Sequence, residues 1–284
     1  MSIIFYTIGD WGKLTNDLKK IAKSMNNISK SFEPNFILSL GDNFYPDGVE
    51  SSDDPKWNDV YENIFTGKKL YCPWYAILGN HDYLTNPDAQ INYYLENKKR
   101  WVMPSRYYSI TYNSNKKIQI VAIDTVELGS LTSSILIPED QLKKTGITNE
   151  SKKRQLQWLE TTLATSNADW LIVIGHYNLY TAGYHDSNHE MISILKPLFV
   201  KYKVDMYICG HCHNLEHLSD TGIEYIVSGS GGKKGSVGKI FQSKFGYGDN
   251  GFTVHKIEEN KMTTMFIDAQ SNIIYSFDLI QKRN

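Results

Sequence analysis

Short apolar runs recur along this chain, separated by tight polar turns or by segments with helical spacing. Residues 3–8, 36–40, 74–78, 170–174, 204–209 and 224–228 read as strands. Residues 106–112 and 118–123 read as two more, joined by a polar turn at 113–117. An amphipathic helix is predicted around 17–28 and another over 154–165, where Leu156, Leu159 and Leu163 share one face. From 251 to 279 the pattern becomes three strands of an antiparallel meander. Strands alternating with helices, then a β-rich end, predict an α/β layered fold in a single domain spanning residues 1–284. Neither an internal repeat nor a linker is visible.

Two long polar segments interrupt this order. Residues 129–151 are expected to form a lid or entrance loop. Residues 228–251 are rich in glycine and contain Lys233 and Lys234, but do not fit the G-x-x-x-x-G-K-[ST] phosphate loop, and read as a flexible connector.

Composition narrows the class. At 41% hydrophobic and 21% charged, the chain is an ordinary globular sequence, and a net charge of −1 offers no field to attract nucleic acid. No apolar run approaches the roughly 18–20 residues that span a bilayer, so no membrane partner is expected. The first residues lack a secretory plan, which sets a cytoplasmic location as the default expectation. Three cysteines, Cys72, Cys209 and Cys212, cannot build a disulfide framework.

The chemistry lies at the strand ends. Five times an apolar strand runs into glycine and then a side chain of metal-ligand type: Gly9-Asp10, Gly41-Asp42-Asn43-Phe44-Tyr45, Gly79-Asn80-His81-Asp82, Gly175-His176 and Gly210-His211-Cys212-His213. Glycine permits a sharp turn and close backbone approach, and sites of open α/β sheets form beyond the carboxyl ends of strands. One aspartate after a strand is ordinarily a turn or helix cap. Five ends supplying Asp, Asp, Tyr, Asn and three His point instead to one metal cleft.

These blocks, together with Gly12 after Trp11, resemble the five metal-binding blocks of the purple acid phosphatases, in particular the short tartrate-resistant type of animals. The resemblance spans Asp10 to His213 and extends to Ala122-Ile123-Asp124-Thr125-Val126 and Gln157-Trp158-Leu159. It implies a four-layer αββα sandwich of two mixed sheets flanked by helices, within the calcineurin-like metallophosphoesterases. It implies Asp10, Tyr45 and His213 on a first metal, Asn80, His176 and His211 on a second, and Asp42 bridging both. A phenolate and carboxylates suit Fe(III) at the first site, and two imidazoles with a neutral amide suit Fe(II), Zn(II) or Mn(II) at the second. The implied activity is cleavage of small-molecule or protein phosphate monoesters by metal-bound hydroxide. The catalytic residues it implies are His81 as proton donor to the leaving alcohol, Asp82 orienting the His81 ring, and His185. His189, His217 and His255 are read as structural or solvent-facing.

Other readings stay open. A calcineurin-like phosphodiesterase or nucleotide phosphatase loaded with Mn or Fe would share the Asp, Asn and His blocks but lack the tyrosine, making Tyr45 the discriminating residue. A scaffold that has lost catalysis is a third. Cys209-Gly210-His211-Cys212-His213 also satisfies the Cys-x-x-Cys pattern of a dithiol oxidoreductase and the Cys-x-x-Cys-His haem signal. The dithiol reading wants its first cysteine at the start of a long helix, and Thr221-Gly222 interrupts soon after the motif. The animal enzymes are typically secreted or lysosomal and carry a disulfide, whereas no cysteine occupies residues 124–130 here.

Overall fold

The fold was analysed in a computed structural model that describes residues 2–96, 100–129 and 139–282. In chain order the elements are β1 (Ile3–Ile8), α1 (Asn16–Ile28), β2 (Phe36–Ser39), β3 (Trp74–Ala76), α2 (Ala89–Leu95), β4 (Trp101–Val102), β5 (Tyr108–Asn113), β6 (Lys117–Ala122), α3 (Thr125–Gly129) and α4 (Glu139–Lys144). The second half contains α5 (Asn149–Ala164), β7 (Trp170–Ile174), α6 (His189–Lys201), β8 (Met206–Cys209), β9 (Leu215–Asp220), β10 (Ile223–Ser228), β11 (Ser243–Tyr247), β12 (Gly251–Glu258), β13 (Lys261–Asp268) and β14 (Ile273–Ile280).

Two mixed sheets result. One has the order β14-β13-β12-β1-β2-β3-β4 and the other β11-β9-β10-β8-β7-β6-β5, seven strands each. The alternation of side chains along β1 shows how they stack. Ile3 and Phe5 enter a core shared with Ile118, Ile120, Ile172, Ile174 and Ile208 of the second sheet. Ile4, Tyr6 and Ile8 face the other way, onto Leu18, Ile21 and Met25 of α1. On the far side of the second sheet, Val121, Val173 and Tyr207 meet Leu159 and Leu163 of α5 and Met191, Leu195 and Phe199 of α6. Each such fully buried aliphatic or aromatic side chain stabilises the fold by about 1.5–3 kcal/mol. The order is helices, sheet, sheet, helices, the expected α/β sandwich.

Local signals explain most boundaries. Thr15 caps α1 by accepting from the Leu18 N–H. A reciprocal capping box between Thr148 and Ser151 starts α5 at Asn149, ahead of the apolar stripe that marks it in the sequence. The C-terminal meander forms as β12–β14, and β12 pairs antiparallel with β1, Ile3 opposite Ile257.

Several elements depart from the pattern reading, among them the unassigned α2, β4 and α3 and the helix α4 inside the expected lid. Helix α6 forms across Pro197, capped by Asn188, with Met191, Leu195 and Phe199 buried at intervals of four. Strand β9 is unassigned in the sequence reading and pairs with β10 on one side and β11 on the other. The segment 228–251 is more than a connector, since it contains β11 and packs on the ends of β1 and β8.

Candidate metal centre

The carboxyl ends of β1, β2, β7 and β8 are stitched together by backbone hydrogen bonds. Asp10 N–H donates to Gly41 O (3.0 Å), Gly175 N–H to Ile208 O (3.1 Å), Gly210 N–H to His176 O (3.1 Å) and Gly9 N–H to Ser228 O (2.7 Å). Two glycines are dictated by crowding: a Cβ on Gly41 would lie 2.6 Å from His176 Nδ1, and one on Gly79 would lie 2.2 Å from the Asp42 nitrogen. Asp10, Asp42 and His211 themselves adopt left-handed backbone, with φ of 58°, 51° and 66°. That conformation costs an ordinary residue about 1–2 kcal/mol, and here it turns each of the three side chains off its strand end into the cleft.

The seven residues expected to ligate metal converge. Asp10, Asp42 and His176 place ligand atoms within 4.8 Å of one another, all buried. The Tyr45 hydroxyl donates to Asp10 Oδ1 at 3.1 Å and Asp42 Oδ2 at 2.7 Å. His213 Nε2 lies 3.5 Å from Asp10 Oδ1, and Asn80 Oδ1 lies 3.0 Å from His176 Nε2. The His211 ring centre is 5.2 Å from that of His176, and the His211 N–H donates to Asp10 Oδ2 at 2.8 Å. His176 Nδ1–H is spent on the Leu40 carbonyl at 2.8 Å, which aims Nε2 into the cleft.

The electrostatics suit a cation. Asp10 and Asp42 are desolvated, and among the described residues their ion-pair partners are only histidines. Burial opposes ionisation of Asp42, but His176, His81 and the hydrogen bonds from Tyr45 and the His81 N–H prevail and hold its pKa below the usual range. Burial, then the charges of Asp10 and Asp42, push the Tyr45 phenol well above 10, so only a strongly Lewis-acidic partner makes it a phenolate. Burial and the neighbouring imidazoles of His176, His185, His213 and His81 push His211 well below 6.5, leaving the neutral form that ligates metal. Desolvated anionic oxygens, a phenol and neutral imidazoles are a donor set that fits two hard-to-borderline cations.

The three residues expected to be catalytic separate. His81 stands at the rim, its Nε2 4.0 Å from Asp42 Oδ2 and its Nδ1 2.5 Å from the Pro46 carbonyl. His185 stacks on His211, ring centres 4.0 Å apart. Burial, followed by His213, lowers its pKa. Asp82 does not orient the His81 ring. Its carboxylate turns inward and accepts from the N–H groups of Asn43 (3.2 Å), Phe44 (3.2 Å) and Gly79 (2.8 Å) and from Gln90 Nε2 (2.8 Å). It thus ties the loops that bear Asp42 and Asn80 together, and the Pro46 carbonyl holds the ring instead. Burial and the Asp42 charge push Asp82 up to about 7, and a cation at Asp42 removes the second cause.

Several contributors are absent from the sequence reading. Asn43 and Gln90 extend the Asp82 network to Ser39 and Trp11. Thr125 Oγ1 accepts from the N–H groups of His176 (3.0 Å) and Tyr177 (2.9 Å). Lys233 lies over the Tyr45 ring. Of these only Asn43 and Thr125 sit in family-like blocks. Of the expected lid, residues 130–138 lie outside the described residues. Gln141 of α4 donates to the carbonyls of Tyr83 (3.1 Å) and Thr85 (2.6 Å), just after His81 and Asp82.

The remaining histidines and cysteines have ordinary roles. His217 lies between Glu224 and Tyr275 and stacks on Phe277. His255 stacks on Phe5 between Thr253 and Thr264. His189 is the exposed first residue of α6. Burial pushes the Cys212 thiol up to about 12 and Cys209 well above 9, opposite to a nucleophilic dithiol. Strand β9, not a helix, follows the motif.

A double-sheet sandwich that gathers Asp, Asn and His side chains at its strand ends defines a metallophosphoesterase. The chain matches the calcineurin-like phosphoesterase family over residues 4–215 and belongs to it. It is 33% identical to tartrate-resistant acid phosphatase type 5 of Oryctolagus cuniculus, covering 95% of this chain and 89% of the relative. It is 33% identical to purple acid phosphatase 4 of Arabidopsis thaliana, covering 98% and 83%. Among solved structures, GAP50, described as the anchor in the inner membrane complex of Plasmodium, matches with a TM-score of 0.85 at 29% identity over 100% of this chain and 90% of that one. The chain is thus a hydrolase, a metallophosphoesterase like the purple acid phosphatases, whose family implies a dinuclear metal centre. Among the described residues no helix is long and apolar enough to cross a membrane.

Proposed function

We propose that this protein hydrolyses phosphate monoesters at a dinuclear centre of Fe(III) and a divalent ion, Fe, Zn or Mn. The observation that carries the reading is the Tyr45 hydroxyl, within hydrogen-bonding distance of both Asp10 and Asp42. A diesterase or nucleotidase of this family needs no phenol there. Asp10, Tyr45 and His213 would hold the ferric ion, Asn80, His176 and His211 the divalent one, and Asp42 both. When bound, the pair would supply Lewis acidity to the phosphoryl group and lower the pKa of a bound water to roughly 7.

The remaining steps fall to side chains. With Nδ1–H donated to Pro46, the His81 ring is fixed with Nε2 facing the cleft, and its imidazolium form hands a proton to the departing alcohol. The neutral His185 imidazole, braced on His211, offers a hydrogen bond to a phosphoryl oxygen at the rim. His81 and His213 are partly exposed, which leaves room for small-molecule or protein leaving groups to extend into solvent.

The likeness to GAP50, described as an anchor, favours a second reading, a scaffold that has lost catalysis, against which the convergence of the Asp, Tyr, Asn and His side chains speaks. Metal analysis with an optical spectrum, followed by monoester and diester kinetics, tests the choice. The expected result is two ions, a visible phenolate-to-iron band lost in Tyr45→Phe, and a higher kcat/KM for monoesters. A colourless Mn-loaded enzyme indifferent to Tyr45→Phe supports the diesterase, and two bound ions without turnover support the scaffold.

A further inference from the structure

Lys233 emerges from the glycine-rich segment after β10 and places Nζ 3.6 Å from the centre of the Tyr45 ring. His81 meets the same ring edge-on, centres 4.5 Å apart. The placement of the lysine is built by backbone. Gly231 N–H donates to Gly9 O (3.1 Å) and Gly232 N–H to Asp10 O (3.1 Å), so the segment is clamped to the loop that bears Asp10. Asn250 Nδ2 then fixes the next turn through Ser230 O (2.9 Å) and Lys233 O (3.0 Å). None of these bonds uses the Lys233 side chain. Lys234 pairs with Asp249 at 3.3 Å, whereas among the described residues Lys233 has no carboxylate within ion-pair distance. Its ammonium is aimed at the aromatic face, where the negative quadrupole attracts a cation.

We propose that Lys233 is a positioning residue for the metal centre, its ammonium stabilising the Tyr45 phenolate and setting the energy of charge transfer from that phenolate to iron. The inference rests on the ferric reading above. The sign follows from Coulomb's law. Charge transfer moves electron density from the ring to the metal, away from the ammonium, so the lysine stabilises the ground state more than the excited state. The wild-type band therefore lies at shorter wavelength than it would without the charge.

The test is the optical spectrum of the metal-loaded protein with Lys233→Met, Lys233→Gln and Lys233→Arg, each with its metal content measured. Both neutral variants are expected to keep two ions and move the band to longer wavelength, on the order of tens of nanometres for loss of one charge at this distance. Lys233→Arg, which keeps a cation over the ring, is expected to return the band toward the wild-type position. An unmoved band in Met and Gln variants that hold both ions overturns the inference. So does loss of the ions in both, which would make the lysine a structural anchor. A wild-type protein that binds two ions and shows no band refutes the ferric reading itself, a different failure from an unmoved band.

Discussion

Replacing Asp82 by asparagine separates two roles that adjacency in sequence confuses. The carboxylate accepts four donors, from Asn43, Phe44, Gly79 and Gln90. The network behind it has a fixed direction. Trp11 Nε1, which can only donate, bonds Ser39 Oγ; Ser39 bonds Asn43 Oδ1; Asn43 Nδ2 bonds Gln90 Oε1; and Gln90 Nε2 bonds Asp82. An asparagine must turn its NH2 toward either Gly79 N–H or Gln90 Nε2, donor against donor. Flipping Gln90 and Asn43 only passes the conflict on: Asn43 Oδ1 would face the Ile77 carbonyl, which now accepts from Asn43 Nδ2, and the Ser39 hydroxyl would lose its acceptor. One buried donor left unpaired costs about 1–3 kcal/mol, and hydrogen bonds to a charged acceptor contribute about 1.5–3 kcal/mol. Because these overlap, Asp82→Asn is expected to destabilise the metal-loaded protein by about 2–4 kcal/mol. That corresponds to a Tm roughly 3–7 °C lower for a chain of this size. Metal affinity should fall as the two ligand loops loosen, while the pH–rate profile keeps its shape, because Pro46 holds His81. Thermal unfolding, metal titration and pH–rate curves for one variant make the measurement. Unchanged Tm together with loss of a limb of the pH profile would refute the reasoning and return Asp82 to the His81 ring.

Other outcomes follow from the same geometry. His81→Gln is expected to lower kcat about 10²–10⁴-fold for alkyl phosphates, whose leaving group needs the proton, with much less effect on nitrophenyl phosphate; loss of bound metal instead would place His81 among the ligands. Burial pushes His255 down to about 3, so the folded state holds it neutral. Stability from this group is present above the unfolded value near 6.5 and is lost as pH falls toward 3, by roughly 5 kcal/mol in full. His255→Gln should therefore show a shallower decline of Tm between pH 6.5 and 4, and a parallel decline would argue against a buried neutral ring. Replacing Cys209 and Cys212 together by serine should leave metal-dependent hydrolysis largely intact; its abolition with metal content unchanged would revive the dithiol reading.

What was legible in the sequence, and what was not, divides along physical lines. A strand that is apolar throughout and stops at glycine announces both its burial and its exposed end, so the ends carrying Asp10, Asp42, Asn80, His176 and His211 could be read without coordinates. Direction could not. His81 and Asp82 share a 3-10 turn, His81–Tyr83, where successive side chains diverge by about 120°, so neighbours in sequence face opposite surroundings. Lys233 was hidden for another reason: its place depends on Gly231 and Gly232 bonding the β1 loop, a contact between segments more than two hundred residues apart. Helix α6 hid behind Pro197, whose helix-breaking tendency is overridden by burial of Met191, Leu195 and Phe199. Strand β9 has polar residues between its apolar ones and gains its register only from β10 and β11.

The central claim is that two cations meet between these strand ends, with the Tyr45 oxygen bound to one of them. Anomalous diffraction from crystals of the metal-loaded protein, collected above and below the iron edge, addresses it directly. Two peaks are expected flanking the Asp42 carboxylate, one of them iron within bonding distance of the Tyr45 oxygen. A single peak, or two peaks with the Tyr45 oxygen bonded to neither, would contradict the claim.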